Sequence, residues 1–311
     1  MQIGLDIGFG DVKIACDDGR LFSFPSAVKY VNDGLDLGAF SEDEEFNYSG
    51  RKYLVGAQAL LGAFSTQSID FLSRYAPLLA YKAIKEIGEN VRKIGVGLPL
   101  AYFTARYSAP LKKSLESIEV NGEKKTFEVE VYPQGVGVLL DFRLSEDGSE
   151  TEGTVANMMV LDIGFNTVDI VAVNNGSASK AESGMLERAG IAKITHELAQ
   201  HLRRETDINL SDQEAKDVLL KGGLSFYGHS KDLSETIRAI TEEYIEWLLN
   251  AVQSRWEERI QRARALLVAG GGAYYLKNHI PEKYRPLIQI PKQPEFANAR
   301  GFLKALKQRG S

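Results

Sequence analysis

Cysteine is nearly absent. Cys16 stands alone among 311 residues, so no disulfide can close within the chain, and a reducing compartment is expected. Histidine is scarce as well. His196 and His201, the nearest pair of four, are five apart. That spacing does not set two imidazoles on one helix face, so a zinc-type metal pair is not expected. No uninterrupted apolar stretch approaches the length of a membrane span. The opening Met1-Gln2-Ile3-Gly4 carries no charged n-region and no apolar h-region, so no signal peptide and a cytoplasmic location are expected. Long basic runs are missing and the net charge is -5, which argues against direct sequence-specific capture of nucleic acid. Lys304, Lys307 and Arg309 near the C-terminus read as a solvated tail. The chain also lacks G-x-x-x-x-G-K-[ST], which excludes a P-loop, and shows no Ser–His–Asp nucleophile motif.

What is present is a soluble, globular balance: 44% apolar and 25% charged residues. The length suits two domains. Residues 5–15 read L-D-I-G-F-G-D-V-K-I-A and residues 161–171 read L-D-I-G-F-N-T-V-D-I-V, identical at seven of eleven positions and half a chain apart. A short-period solenoid is excluded by that spacing; a duplicated domain fits it. Each copy reads as strand, tight turn, strand, with turns at Gly8-Phe9-Gly10 and Gly164-Phe165-Asn166 whose Gly and Asn residues tolerate positive φ. Cys16 should pack as a small apolar residue on the second strand. Further strands are expected at Leu21–Phe24, Lys93–Gly97, Thr126–Tyr132 and Ala265–Ala269. Helices are expected over Pro77–Ile87, after a capping box at Ser211-Asp212-Gln213-Glu214, and over Leu233–Ala263. In the last of these, Leu233, Ile237, Ile240, Tyr244, Trp247, Leu248, Ala251 and Ile260 mark a core-facing stripe. Asp33–Asn47 is the least ordered stretch by composition, and the polar run Ser145–Gly153 reads as the link between halves. The alternation of strands and helices makes the fold α/β.

Two facing hairpins of this kind suit a triphosphate and its metal. Small glycine-rich turns expose successive backbone N–H groups. An aspartate before each turn, Asp6 and Asp162, can hold the waters that Mg²⁺ keeps. Lys13 lies beyond the first turn and can reach a phosphate. Asp169 stands in its place in the second copy, so one phosphate-facing lysine is expected. A third cluster, Gly270-Gly271-Gly272-Ala273, ends an apolar strand and would allow close approach of a base and ribose. It lacks the acidic residue about twenty positions on that a dinucleotide fingerprint has.

With these residues in place the chain resembles the actin, sugar-kinase and heat-shock-chaperone ATPase superfamily. Its five motifs match in order: Asp6–Lys13, Tyr132–Gly137, Asp162–Asp169, Val268–Ala273 and Phe296–Phe302. Within it, the A-N-A-R-G-F ending, the V-G-L-P segment at Val96–Pro99 and the compact length resemble actin-like proteins of the ParM/StbA plasmid-segregation type from bacteria and archaea. The resemblance implies an actin-like, ribonuclease H-like duplicated fold with a nucleotide cleft between domains 1–152 and 153–311. An outer subdomain would lie near 20–75, and the segment 296–311 would pack back on the first domain. It implies ATP or ADP with Mg²⁺ as cofactors, and a slow ATP hydrolase. Asp6 and Asp162 would organise the metal. Gly8, Phe9, Gly10, Gly164, Phe165, Asn166 and Thr167 would form the phosphate cradle that Lys13 completes. Glu214, Lys216, Gly270, Gly271, Gly272 and Ala273 would meet the nucleoside. Gln134 would orient the attacking water; glutamine positions water but accepts protons poorly. Self-association into filaments and a DNA-bound adaptor protein are the implied partners, with no membrane. Phe9 and Phe165 depart from the small or polar residues in actin's own loops. Two other classes share the fold: small-molecule kinases, which need a catalytic aspartate (Asp141 is the nearest to Gln134), and non-polymerising adaptors of the pilus or cell-division type.

Overall fold

The computed structural model describes residues 1–31, 44–88, 90–151, 155–277 and 279–310. Most of Asp33–Asn47 and the expected junction at 152/153 lie outside the described residues. In chain order, the first half runs β1 (Gln2–Ile7), β2 (Asp11–Cys16), β3 (Leu21–Pro25), β4 (Val28–Tyr30), β5 (Phe46–Tyr48), β6 (Arg51–Val55), α1 (Ile69–Ile87), β7 (Lys93–Leu98), α2 (Ala105–Glu116), β8 (Ser117–Val120), β9 (Glu123–Thr126), β10 (Glu128–Pro133) and α3 (Val136–Arg143). The second half runs β11 (Met158–Ile163), β12 (Val168–Asn174), β13 (Ser177–Ala178), β14 (Gly184–Leu186), α4 (Ala192–Thr206), α5 (Asp212–Lys221), β15 (Gly223–Phe226), β16 (His229–Asp232), α6 (Ser234–Arg262), β17 (Leu266–Ala269), α7 (Ala273–Leu276), β18 (Ile288–Gln289) and α8 (Ala297–Gly310).

The internal repeat becomes a repeated sheet. The first sheet has the order β10-β7-β1-β2-β3, and the second β13-β12-β11-β17-β18 with β14 also on β12. In both, the first hairpin is antiparallel and its first strand pairs in parallel with a later one, β7 or β17. The register sets Asp6 opposite Lys13 and Asp162 opposite Asp169. All six residues of β11 are buried, as expected for a central strand covered on both faces.

The helices supply that cover. α1 starts earlier than its proline suggests: Ser68 caps it by accepting the Phe71 N–H, Gly88 closes it in the left-handed region, and Pro77 lies inside. Burial of Phe71, Leu72 and Tyr75 ahead of the proline outweighs the one backbone bond it removes. α5 carries the expected capping box. α6 spans the expected length, but its stripe needs correction. Trp247 is 41% exposed and lies under the Lys193 ammonium at 4.3 Å, while Trp256 is buried with its Nε1–H bonded to Glu182 O. A 29-residue helix drifts by three- and four-residue steps, and the buried face follows the sheet beneath it. Thr126 ends β9 and does not begin β10, because a hairpin precedes the strand.

The C-terminal lysines and arginine do not form a solvated tail. They lie on α8, which packs on β1, β7 and α3. Lys304 is buried, with its Nζ 2.9 Å from Asp141, and Arg300 binds the same carboxylate at 2.6 Å. Two glycines permit this docking. A Cβ on Gly4 would sit 1.8 Å from Ala299 O, and one on Gly301 would sit 1.8 Å from Gly137 O. The helices α3 and α8 therefore cross backbone on backbone.

Candidate functional site

The two hairpin turns face each other across a cavity of about 530 Å³, a size that suits a small-molecule ligand. Asp6 and Asp162 both line it and both are buried. Each carboxylate is held by an amide. Gln134 Nε2 donates to Asp6 Oδ1 at 2.6 Å, and Asn298 Nδ2 donates to Asp162 Oδ2 at 2.6 Å. The amides come from the segments that open α3 and α8. They are tied to each other, since Gly135 N donates to Asn298 Oδ1 at 3.1 Å. Gly135 stands at φ +75, which turns the chain sharply after Gln134.

The charge balance within the cavity favours a cation. Burial raises the pKa of Asp6, and Lys13, with its Nζ 4.0 Å away, only partly offsets it. Burial and then the nearby Asp6 charge push Asp162 up to about 6. Asp169 is raised well above the ordinary value by burial first and the Asp162 charge second, although Leu100 N donates to it at 2.8 Å. A carboxyl whose folded pKa stands above its unfolded value adds stability only while it keeps its proton. For Asp162 that contribution is complete below the ordinary 3.8 and is lost as pH rises through about 6. The ligand-free protein should therefore melt at progressively lower temperature as pH climbs across that window. A thermal-melt series from pH 4 to pH 7, read as order-of-magnitude linkage, checks this; a flat series would contradict it.

The expected residues separate into those on the cavity and those behind it. Asp6, Gly8, Phe9, Lys13, Gln134, Asp162, Gly164, Phe165, Thr167, Lys216, Gly270 and Gly271 line it. Gly10, Asn166, Gly272 and Ala273 do not. A Cβ on Gly10 would lie 2.8 Å from Phe165, and one on Gly272 would lie 2.1 Å from Ile163. Asn166 donates to Gln67 O at 3.1 Å, and Ala273 is buried. The hairpin turns also do not use positive φ. Among the cavity glycines only Gly270 does, at +78. Gly8 is small for another reason: its Cβ would press on Asp11 O at 2.9 Å.

Glu214 is taken up by the capping box, accepting the Ser211 N–H at 2.9 Å, and does not line the cavity. Lys216 does. Its Nζ donates to Gly10 O at 3.0 Å and pairs with Asp11. Around it α5 clasps the first half of the chain: Asp212 accepts from Gln67 Nε2 at 2.8 Å and Ser65 Oγ at 3.0 Å, and Gln213 Nε2 donates to Gly10 O at 3.1 Å. Asp141, the carboxylate a kinase mechanism would need, is bound by Arg300 and Lys304 and is not on the cavity.

Two family models match in succession: actin-like proteins N-terminal domain over residues 4–137, and archaeal actin homologue MreB-like, C-terminal, over residues 160–282. The chain belongs to the actin-like superfamily. Curated archaeal actin homologs from Thermoplasma volcanium and Thermoplasma acidophilum are each 25% identical to it over 98% of both chains. A crystal structure of an archaeal actin homolog in complex with ADP shares 23% identity at a TM-score of 0.76 over 99% of both chains. A ParM filament structure from Clostridium botulinum shares 20% at 0.75, again over 99% of both. The two-domain actin-like fold is thus common to all of them.

In this actin-like protein four further residues, Asn298, Asp169, Tyr274 and Tyr275, line the cavity without being expected there from the sequence. Asn298 sits in the Phe296–Phe302 motif, where the sequence predicts no contact to Asp162. Asp169 is expected only as the residue that stands where the first copy has Lys13, yet it lines the cavity. Tyr274 and Tyr275 follow the glycine cluster and line the cavity, as do Leu219 and Leu220; flat apolar walls suit a base. An aromatic pair directly after Gly-Gly-Gly-Ala was the signal available.

Proposed function

We propose that this chain binds Mg²⁺-ATP in the cavity, hydrolyses it slowly, and assembles into nucleotide-dependent filaments of a segregation or cytoskeletal type, with a DNA-bound adaptor as the partner in the segregation role. The observation that carries the reading is the mirrored pair of amide-held carboxylates, Asp6 with Gln134 and Asp162 with Asn298, facing one cavity. Two buried, desolvated carboxyls side by side fit a divalent cation, which would relieve their mutual repulsion. Among the described residues no three acidic, histidine or cysteine side chains converge on a direct coordination cage. The carboxylates therefore suit a hydrated ion held through its waters, as Mg²⁺ prefers. When bound, the ion would neutralise phosphate charge.

The chain's own residues do the rest. Lys13 supplies positive charge beside the first turn. Gly271, whose Cβ would meet nothing within 4 Å, leaves room against the ligand. Gln134 is oriented by its bond to Asp6, which leaves Oε1 to accept from a water. An amide positions that water without taking its proton, so turnover should be slow. The ADP complex of the archaeal homolog and the ParM filament support nucleotide binding and assembly here by likeness of fold.

Right-angle light scattering after adding Mg²⁺-ATP to purified protein tests the whole reading. A rise followed by decay as nucleotide is spent is expected. A flat trace at high protein concentration, with ATP shown to be bound, would overturn the filament and favour a non-polymerising actin-fold protein.

A further inference from the structure

Five acids line the cavity: Asp6, Asp11, Asp162, Asp169 and Glu295. Four already have a partner or a task. Asp6 and Asp162 are held under their amides, Asp169 accepts from Leu100 N, and Asp11 pairs with Lys216. Glu295 is left over. It is half-buried on the single turn Pro294–Phe296 that leads into α8. Its partner is neutral: the Tyr274 hydroxyl donates to Oε2 at 2.7 Å. Among the described residues no cation pairs with this carboxylate.

Two close contacts order the wall on which Glu295 stands. Gly270 N donates to Pro294 O at 3.0 Å, so the glycine turn and the Glu295 segment run together. A Cβ on Gly270 would stand 2.6 Å from Asp162 Oδ1. The wall therefore starts at the carboxylate pair, passes the open face of Gly271 and reaches the bond between Tyr274 and Glu295. A nucleotide whose phosphates meet the carboxylates and Lys13 brings its sugar next and its base last.

We propose that Glu295 selects the base: its carboxylate accepts a hydrogen bond from the 6-amino group of adenine and disfavours the 6-oxo group of guanine and hypoxanthine. This assigns the specificity of the nucleotide site proposed above and rests on that reading. The Tyr274 ring offers the base a flat surface, and Glu295 stands at the hydroxyl end of that ring. Tyr274 also fixes the acid. Burial, and then the bond to Glu295, push its hydroxyl up to about 12, so at neutral pH it keeps its proton and goes on donating. With Oε2 so occupied, Oε1 is an acceptor that needs a donor, because an ionised carboxylate only accepts. An amino group supplies that donor. A carbonyl in the same place sets acceptor against acceptor, which discriminates by repulsion as well as by a lost bond.

Calorimetric titration with Mg²⁺-ADP and Mg²⁺-IDP tests the assignment, since the two differ on the six-membered ring and neither is hydrolysed to start assembly. The parent should bind ADP at least about tenfold more tightly than IDP. Glu295→Gln keeps the shape, and its amide can turn to donate to a 6-oxo group. IDP should therefore gain affinity, and the ratio should fall to within about twofold. Equal affinity of the parent for ADP and IDP, or a ratio unchanged in Glu295→Gln, would overturn the assignment and leave the nucleotide reading standing. An equal loss for both nucleotides in Glu295→Gln would put the carboxylate on the ribose and overturn it as well. A parent that binds neither nucleotide would overturn both readings.

Discussion

Asp162→Asn should reduce Mg²⁺-dependent ATP turnover by about a thousandfold, the size expected when a preorganised group that acts on the developing charge is removed. The same substitution should make the ligand-free protein more stable at neutral pH. Asp162 is buried beside Asp6 and its pKa stands at about 6, so above that pH the fold carries a desolvated charge that the unfolded chain does not. A shift of about two units corresponds to about 3 kcal/mol at most. Asparagine is isosteric and its Oδ1 can still accept from Asn298 Nδ2, which now donates to Asp162 at 2.6 Å. Activity and melting temperature should therefore move in opposite directions, a split that a merely structural aspartate would not give. Steady-state phosphate release and a melting curve at pH 7.5 measure the two. Retained turnover would remove the role assigned to this carboxylate; a lower melting temperature would show that its ionised form is bonded better than its burial implies.

The second large effect concerns stability. Gly301→Ala should cost about 3 kcal/mol or more, because the added methyl would stand 1.8 Å from Gly137 O and backbone cannot move aside as a flexible side chain can. Gly271→Ala is the control. Its Cβ would meet nothing within 4 Å, so the fold should melt within about 1 kcal/mol of the parent while nucleotide affinity falls, since the methyl enters the cavity. Urea unfolding of both variants, with an ADP titration of the second, separates close packing from ligand clearance. Equal stability of all three proteins would mean that α3 and α8 separate at little cost.

Much of this arrangement was legible in the sequence because duplication writes the same local message twice. The two L-D-I-G-F stretches gave both hairpins, both cavity aspartates and the sheet's repetition. The Ser211–Glu214 box gave the start of α5, because a cap is a matter of three residues. What was missed depends on distance along the chain. Asn298 reaches Asp162 across 136 positions, and within Ala297–Gly310 it is one polar residue of a helix. Lys304 looked like a tail residue because its partner Asp141 lies in another helix. Trp247 was expected in the core stripe and is exposed, while Trp256, outside that stripe, is buried, because periodicity gives a face but not the direction in which a long helix crosses its sheet. The glycines of the hairpin turns were expected for their dihedral freedom and serve instead through close approach, a distinction that only the neighbouring chain reveals.

The crossing of α3 and α8 carries one more consequence. Carbonyl lies against glycine there, and the Asp141 carboxylate of α3 is held by Arg300 and Lys304 of α8, so the crossing is a pinned axle and not a place where the chain parts. Any opening of the cleft then meets its resistance at the rim, where Asp212 grips Ser65 and Gln67 and Lys216 grips Asp11. These are polar bonds that water can replace one at a time. The axle is set by shape and the catch by exchangeable hydrogen bonds, so mutations at the rim should change how long a ligand stays, and mutations at the axle should change whether there is a cleft at all.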